Sequence, residues 1–107
     1  MKVEVLYVAD CPFHRAAVKL VQNVLAAEGF SAEIHEVLVR DEGMASELGF
    51  PGSPTIRING QDVAGEERRA QDCGLSCRLY RGSKQAGFPP MEMIQRAVIA
   101  ARRGDTT

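Results

Sequence analysis

The sequence predicts an α/β domain on a four-stranded mixed sheet, with its elements in the order βαβαββα. Three observations carry that prediction. Val3, Val5, Leu6, Tyr7 and Val8 form a β-branched and aromatic run broken only by Glu4. From Pro12 onward the apolar positions recur every three or four residues, which is a helical period. Asn59-Gly60 then separates two short strand-like runs, and both residues tolerate the positive φ that a tight hairpin demands.

The first run suits a strand buried on both faces and central to a sheet. In the helix that follows, Ala17, Val18, Val21, Val24 and Leu25 lie on one side, with Arg15, Lys19, Gln22 and Asn23 on the other. Gly29 stands where a helix closes in the left-handed conformation. Ala32 to Val39 reads as a second strand through Ile34, Val37, Leu38 and Val39, and Asp41 to Leu48 as a short polar helix. A strand–helix–strand crossover makes parallel neighbours with a right-handed connection. Thr55 to Ile58 and Gln61 to Val63 flank the Asn-Gly turn and pair antiparallel. Residues 65 to 88 show no periodicity and contain four glycines, an irregular insertion before the last helix. Pro89-Pro90 opens that helix, whose apolar face is Met91, Ile94, Ala97, Val98 and Ala101.

With 107 residues, 45% of them hydrophobic and 25% charged, the chain is expected to form a single domain spanning residues 1–107 around one core. A net charge of −1 supplies no field for a phosphate backbone, so nucleic-acid binding is not expected. No apolar run approaches the roughly 20 residues a membrane helix needs, and Lys2, Glu4 and Asp10 break up the amino terminus where a secretory segment would be apolar. These features point to a cytoplasmic protein. Three cysteines, Cys11, Cys73 and Cys77, are too few for a disulfide scaffold, so reactivity, metal binding or simple burial remain for them.

Cys11-Pro12 at the first strand–helix junction, with Gly52-Ser53-Pro54-Thr55 ahead of the hairpin, resembles the thioredoxin superfamily, and the element order matches its core over most of the chain. The resemblance implies a thioredoxin-like fold, a cis Pro54 against the reactive sulfur, and substrate alignment by the backbone of Ser53 and Thr55. The run Pro54 to Glu67 is also similar to the glutaredoxin branch, which implies that Gly65, Glu66 and Glu67 receive the amino end of glutathione. The sequence departs from that pattern at His14, which replaces the second cysteine of C-x-x-C and so forbids dithiol exchange within the motif. More narrowly, G-S-P-T-I-R-I-N-G with a late C-x-x-x-C-R-L-Y resembles small bacterial thioredoxin-like proteins associated with mercury detoxification.

A thiolate is the attacking species, and the positive end of a helix favours it. A helix opening at Pro12 would put Cys11 at that end, with a protonated His14 on the same face adding to the effect. The alternative is that Asp10 caps the helix and Cys11 is a small buried residue. His14 is equally readable as a packing residue, and His35 as structural. If the third strand starts beside Cys11, the fourth returns to the same end, bringing residues 65 to 88, with Cys73 and Cys77, near the thiol.

Three functions compete. The first is a thiol–disulfide oxidoreductase acting on a disulfide-containing protein or a glutathione adduct. Cys11 is its nucleophile, Cys73 or Cys77 the resolving thiol, and Pro12, Ser53, Pro54, Thr55, Gly65 and Glu66 hold the substrate; glutathione is the candidate cosubstrate and no bound cofactor is required. The second is a soft-metal protein, for mercury, zinc or a similar ion, with Cys11, Cys73 and Cys77 as ligands and His14 a fourth for zinc. A variant of it is an organomercurial lyase in which Asp10 delivers the proton. The third is a scaffold with inert thiols that binds another protein.

Overall fold

In the computed structural model, which describes residues 1–64 and 89–104, the chain forms the α/β, thioredoxin-like arrangement the sequence predicts. Its elements are β1 (Val3–Tyr7), α1 (His14–Ala27), β2 (Ile34–Leu38), α2 (Glu42–Leu48), β3 (Thr55–Ile58), β4 (Gln61–Asp62) and α3 (Met91–Gly104). The sheet order is β2-β1-β3-β4. β1 is parallel to β2 and antiparallel to β3, and β3 is antiparallel to β4.

Strand alternation sorts the side chains into two layers. Val3 and Val5 of β1 join Ile56 and Ile58 of β3 beneath α1 and α3, which contribute Ala17, Val21, Val24, Leu25, Ile94 and Val98. Leu6 points the other way and packs with Val39, Ala45 and Phe50 around α2. The first strand is therefore buried on both faces, as its apolar run, interrupted only by Glu4, leads one to expect.

Helix ends follow local chemistry. Asp41 caps α2, its carboxylate accepting the Met44 N–H at 2.8 Å. Gly49 closes the same helix at φ +62°, a conformation that disfavours any residue with a Cβ. The Arg57 guanidinium donates to the last carbonyls of that turn, those of Leu48 and Gly49. At the end of α1, Phe30 N–H bonds Leu25 C=O at 2.8 Å and Gly29 N–H bonds Ala26 C=O at 3.2 Å, with Gly29 left-handed. Asn59 and Gly60 both take positive φ in the hairpin, and Asn59 also accepts the Lys2 N–H at 2.9 Å.

The structure corrects several boundaries. α1 begins at His14 and not at Pro12: Cys11 N–H closes a turn onto Val8 C=O at 3.1 Å, and Phe13, the residue before the helix, receives the Ala17 N–H at 2.8 Å. The position before the helix is Phe13, which offers no side-chain acceptor, so Asp10 is not the cap. β2 is shorter at both ends than Ala32 to Val39, and β4 ends at Asp62, although Val63 N–H still reaches Ile56 C=O at 3.0 Å. Met91 is exposed on α3; Ile94 and Val98 carry its buried face. The expected insertion, 65 to 88, lies outside the described residues. No helix among the described residues is long and apolar enough to cross a membrane.

Candidate functional site

Among the described residues, two of the segments singled out by sequence, the Cys11 turn and the loop before β3, come together at the C-terminal end of β1, and Val8 is where they meet. Its N–H donates to Ser53 Oγ at 3.1 Å, and its C=O accepts the Cys11 N–H. One residue thus ties the cysteine turn to the loop that enters β3. Cys11 is a partly exposed free thiol, and Pro12 beside it is exposed.

The Ser53–Pro54 bond is cis, and Ser53, Pro54 and Thr55 are all buried. Thr55 Oγ1 donates to Gly52 C=O at 2.6 Å, closing the loop on itself. Thr55 sits opposite Leu6 in the β1–β3 ladder, so the loop leaves the sheet alongside the end of β1. The hydroxyls of Ser53 and Thr55 are thus occupied in building the loop.

His14 is the first residue of α1, whereas Cys11 lies ahead of the helix, so the two do not share a helix face as the sequence led us to expect. The imidazole instead lies flat on the Tyr7 ring, centroids 3.5 Å apart and planes tilted by 6°. Its Nε2 meets Glu36 Oε1 at 2.5 Å, with the two side chains 19% and 47% exposed. The sheet register explains the meeting. Val5 pairs with Glu36 and Tyr7 with Leu38, so Tyr7 and Glu36 are diagonal neighbours on the face that α1 covers. The first turn of α1 therefore comes down over both. Glu36 also lines an open groove of about 310 Å³ between α1 and β2, with Val18, Gln22, Leu25, Phe30 and Ile34.

Tyr7 and Glu36 were not picked out by motif reading. The available signal was Glu36 itself, an acidic residue between Ile34 and Leu38 on the helix-facing side of β2. His35 points outward, 51% exposed and 3.8 Å from Glu33, as a surface residue. Asp10 is exposed in the turn before Cys11.

Gly65, Glu66, Glu67, Cys73 and Cys77 lie outside the described residues. Among the described residues, no group of three or more His, Cys, Asp and Glu side chains is gathered to hold a metal ion.

A family model described as a domain of unknown function, DUF2703, matches residues 14–98, most of the chain. The chain belongs to the DUF2703 family. The DUF2703 match runs from His14 to Val98 and so includes Glu36, the Ser53-Pro54-Thr55 loop and both late cysteines, while Cys11 stands three residues ahead of it. No curated protein and no solved structure matches this sequence.

Proposed function

We propose that this DUF2703 protein is a thiol–disulfide oxidoreductase with Cys11 as its nucleophile. The observation that carries the reading is the pair of hydrogen bonds at Val8, whose N–H holds the buried loop before β3 and whose C=O holds the partly exposed Cys11 turn. A nucleophile needs both access and a fixed surface against which the substrate chain can lie. With the Ser53 and Thr55 hydroxyls turned to structural partners, substrate alignment falls to the loop's main chain.

In the proposed reaction the Cys11 thiolate attacks one sulfur of a substrate disulfide. A sulfur–sulfur bond forms as the old one breaks, and the departing sulfur leaves as a thiolate that takes up a proton. A second thiol, from Cys73, Cys77 or a small molecule of the glutathione class, then attacks the mixed disulfide and returns Cys11 to its reduced form. In this reading the protein requires no bound cofactor, and its partners are disulfide-bearing proteins or glutathione adducts.

The test is reduction of a glutathione mixed disulfide by wild type and Cys11→Ser, with peptide-level mass spectrometry on the Cys73→Ser/Cys77→Ser double variant. Loss of activity in the first and a Cys11-linked adduct accumulating in the second are expected. Full activity in Cys11→Ser overturns the proposal. Stoichiometric mercury or zinc binding without reductase activity, abolished by Cys77→Ser, would assign the three cysteines to a metal instead.

A further inference from the structure

His14 carries two restraints that packing does not require. Its ring is stacked on Tyr7, which fixes the plane, and bonded to Glu36, which fixes the rotation within that plane. A carboxylate offers only lone pairs, so Nε2 must be the donor in that contact, and Nδ1 is the ring nitrogen left to take or give a proton. The three residues come from three separate elements and meet at the end of β1 from which the Cys11 turn departs.

We propose that Glu36 and Tyr7 are positioning residues that hold His14 so that its Nδ1 exchanges a proton with the thiol chemistry at Cys11. The proposal rests on the reading of Cys11 as nucleophile. The proton of the Cys11 thiol passes to Nδ1, directly or through one water, and the resulting thiolate attacks the substrate disulfide. The sulfur–sulfur bond breaks, its electron pair leaves with the departing thiolate, and the proton on Nδ1 passes to that thiolate. The products are the Cys11 mixed disulfide and a free thiol, with His14 returned to its starting form. Glu36 keeps its bond to Nε2 throughout, in the manner of a carboxylate that orients a catalytic imidazole. Tyr7 acts through its ring face and not its hydroxyl.

The experiment is the rate of Cys11 alkylation by iodoacetamide at neutral pH, read on the Cys11 peptide so that Cys73 and Cys77 do not contribute. Glu36→Gln keeps the size of the side chain and removes its charge. It is expected to slow alkylation by about tenfold, the rate equivalent of one charge-assisted hydrogen bond. In a His14→Gln background the same substitution is expected to change nothing, because its effect passes through the imidazole. Tyr7→Phe should keep the wild-type rate and Tyr7→Leu lose it. A wild-type rate in Glu36→Gln, or an equal loss in both backgrounds, overturns the proposal. The outcome is separable from that of the function itself: an active Cys11→Ser protein removes the oxidoreductase reading whatever the alkylation cycle shows, and an additive cycle in a protein that needs Cys11 removes only the positioning role.

Discussion

Ser53→Ala removes the acceptor through which the Val8 N–H is satisfied. Ser53 is fully buried and its Oγ lies 3.1 Å from that nitrogen, so the variant leaves a donor facing a methyl group. Orphaning a buried donor costs about 1–3 kcal/mol. Val8 is only partly buried, so water can reach the freed N–H, and the lower part of that range, about 1–2 kcal/mol, is expected. In a domain near 100 residues each kcal/mol lowers the melting temperature by about 4–8 °C, giving a fall of about 4–16 °C. The assay is thermal unfolding by circular dichroism, paired with urea denaturation to show that the midpoint moves while the slope does not. Ser46→Ala is the control, an exposed position on α2 where the change should stay within about 0.5 kcal/mol of wild type. If Ser53→Ala melts with wild type and Ser46→Ala, the Val8 bond does not tie the two loops together and the geometry proposed for the site fails.

Other expectations concern the elements that frame the site. Asp41→Ala should cost about 0.5–2 kcal/mol in denaturant unfolding through loss of the α2 cap; Asp41→Ser should restore most of it. Gly49→Ala should destabilise by about 1–2 kcal/mol because of its left-handed backbone, since an added Cβ meets nothing nearer than Arg57 Nη2 at 3.8 Å. Phe50→Ala should cost about 3–5 kcal/mol, because the ring is wholly buried among Leu6, Val39 and Ala45; a loss below about 1 kcal/mol would mean that the α2 layer is not packed as described.

The order of elements was legible because each is announced by local chemistry: the switch from a largely apolar run to a helical period after Tyr7, Asp41 ahead of α2, and Asn59-Gly60 at the hairpin. The helix starts two residues later than Pro12 suggests: Pro12 fits an opening position on paper, but it is the Phe13 C=O that receives the Ala17 N–H ahead of the first helical residue, His14. Cys11 and the Ser53-Pro54-Thr55 loop could be named from the sequence, since both carry a recognisable pattern. The Tyr7–His14–Glu36 arrangement could not be, because it depends on the β1–β2 register, which sets Glu36 beside Val5 and so brings it to His14, 22 residues away in the chain. Glu36 was nonetheless a polar exception on a helix-facing strand position, and register reasoning turns such an exception into a candidate partner for whatever the covering helix brings. Helical spacing alone puts Met91 in the core, but at the first turn of α3 it is exposed, while Met93 packs against the cluster that contains Ile94 and Val98.

The central claim is that the fold makes the Cys11 sulfur reactive, and the most direct measurement compares its iodoacetamide alkylation rate in the native and the urea-unfolded protein at the same neutral pH, peptide by peptide. The account predicts that native Cys11 reacts several-fold faster than the unfolded one, because the proposed proton exchange with His14 operates only in the folded chain while the thiol stays partly exposed there. Native Cys11 reacting no faster than in the unfolded chain would contradict it.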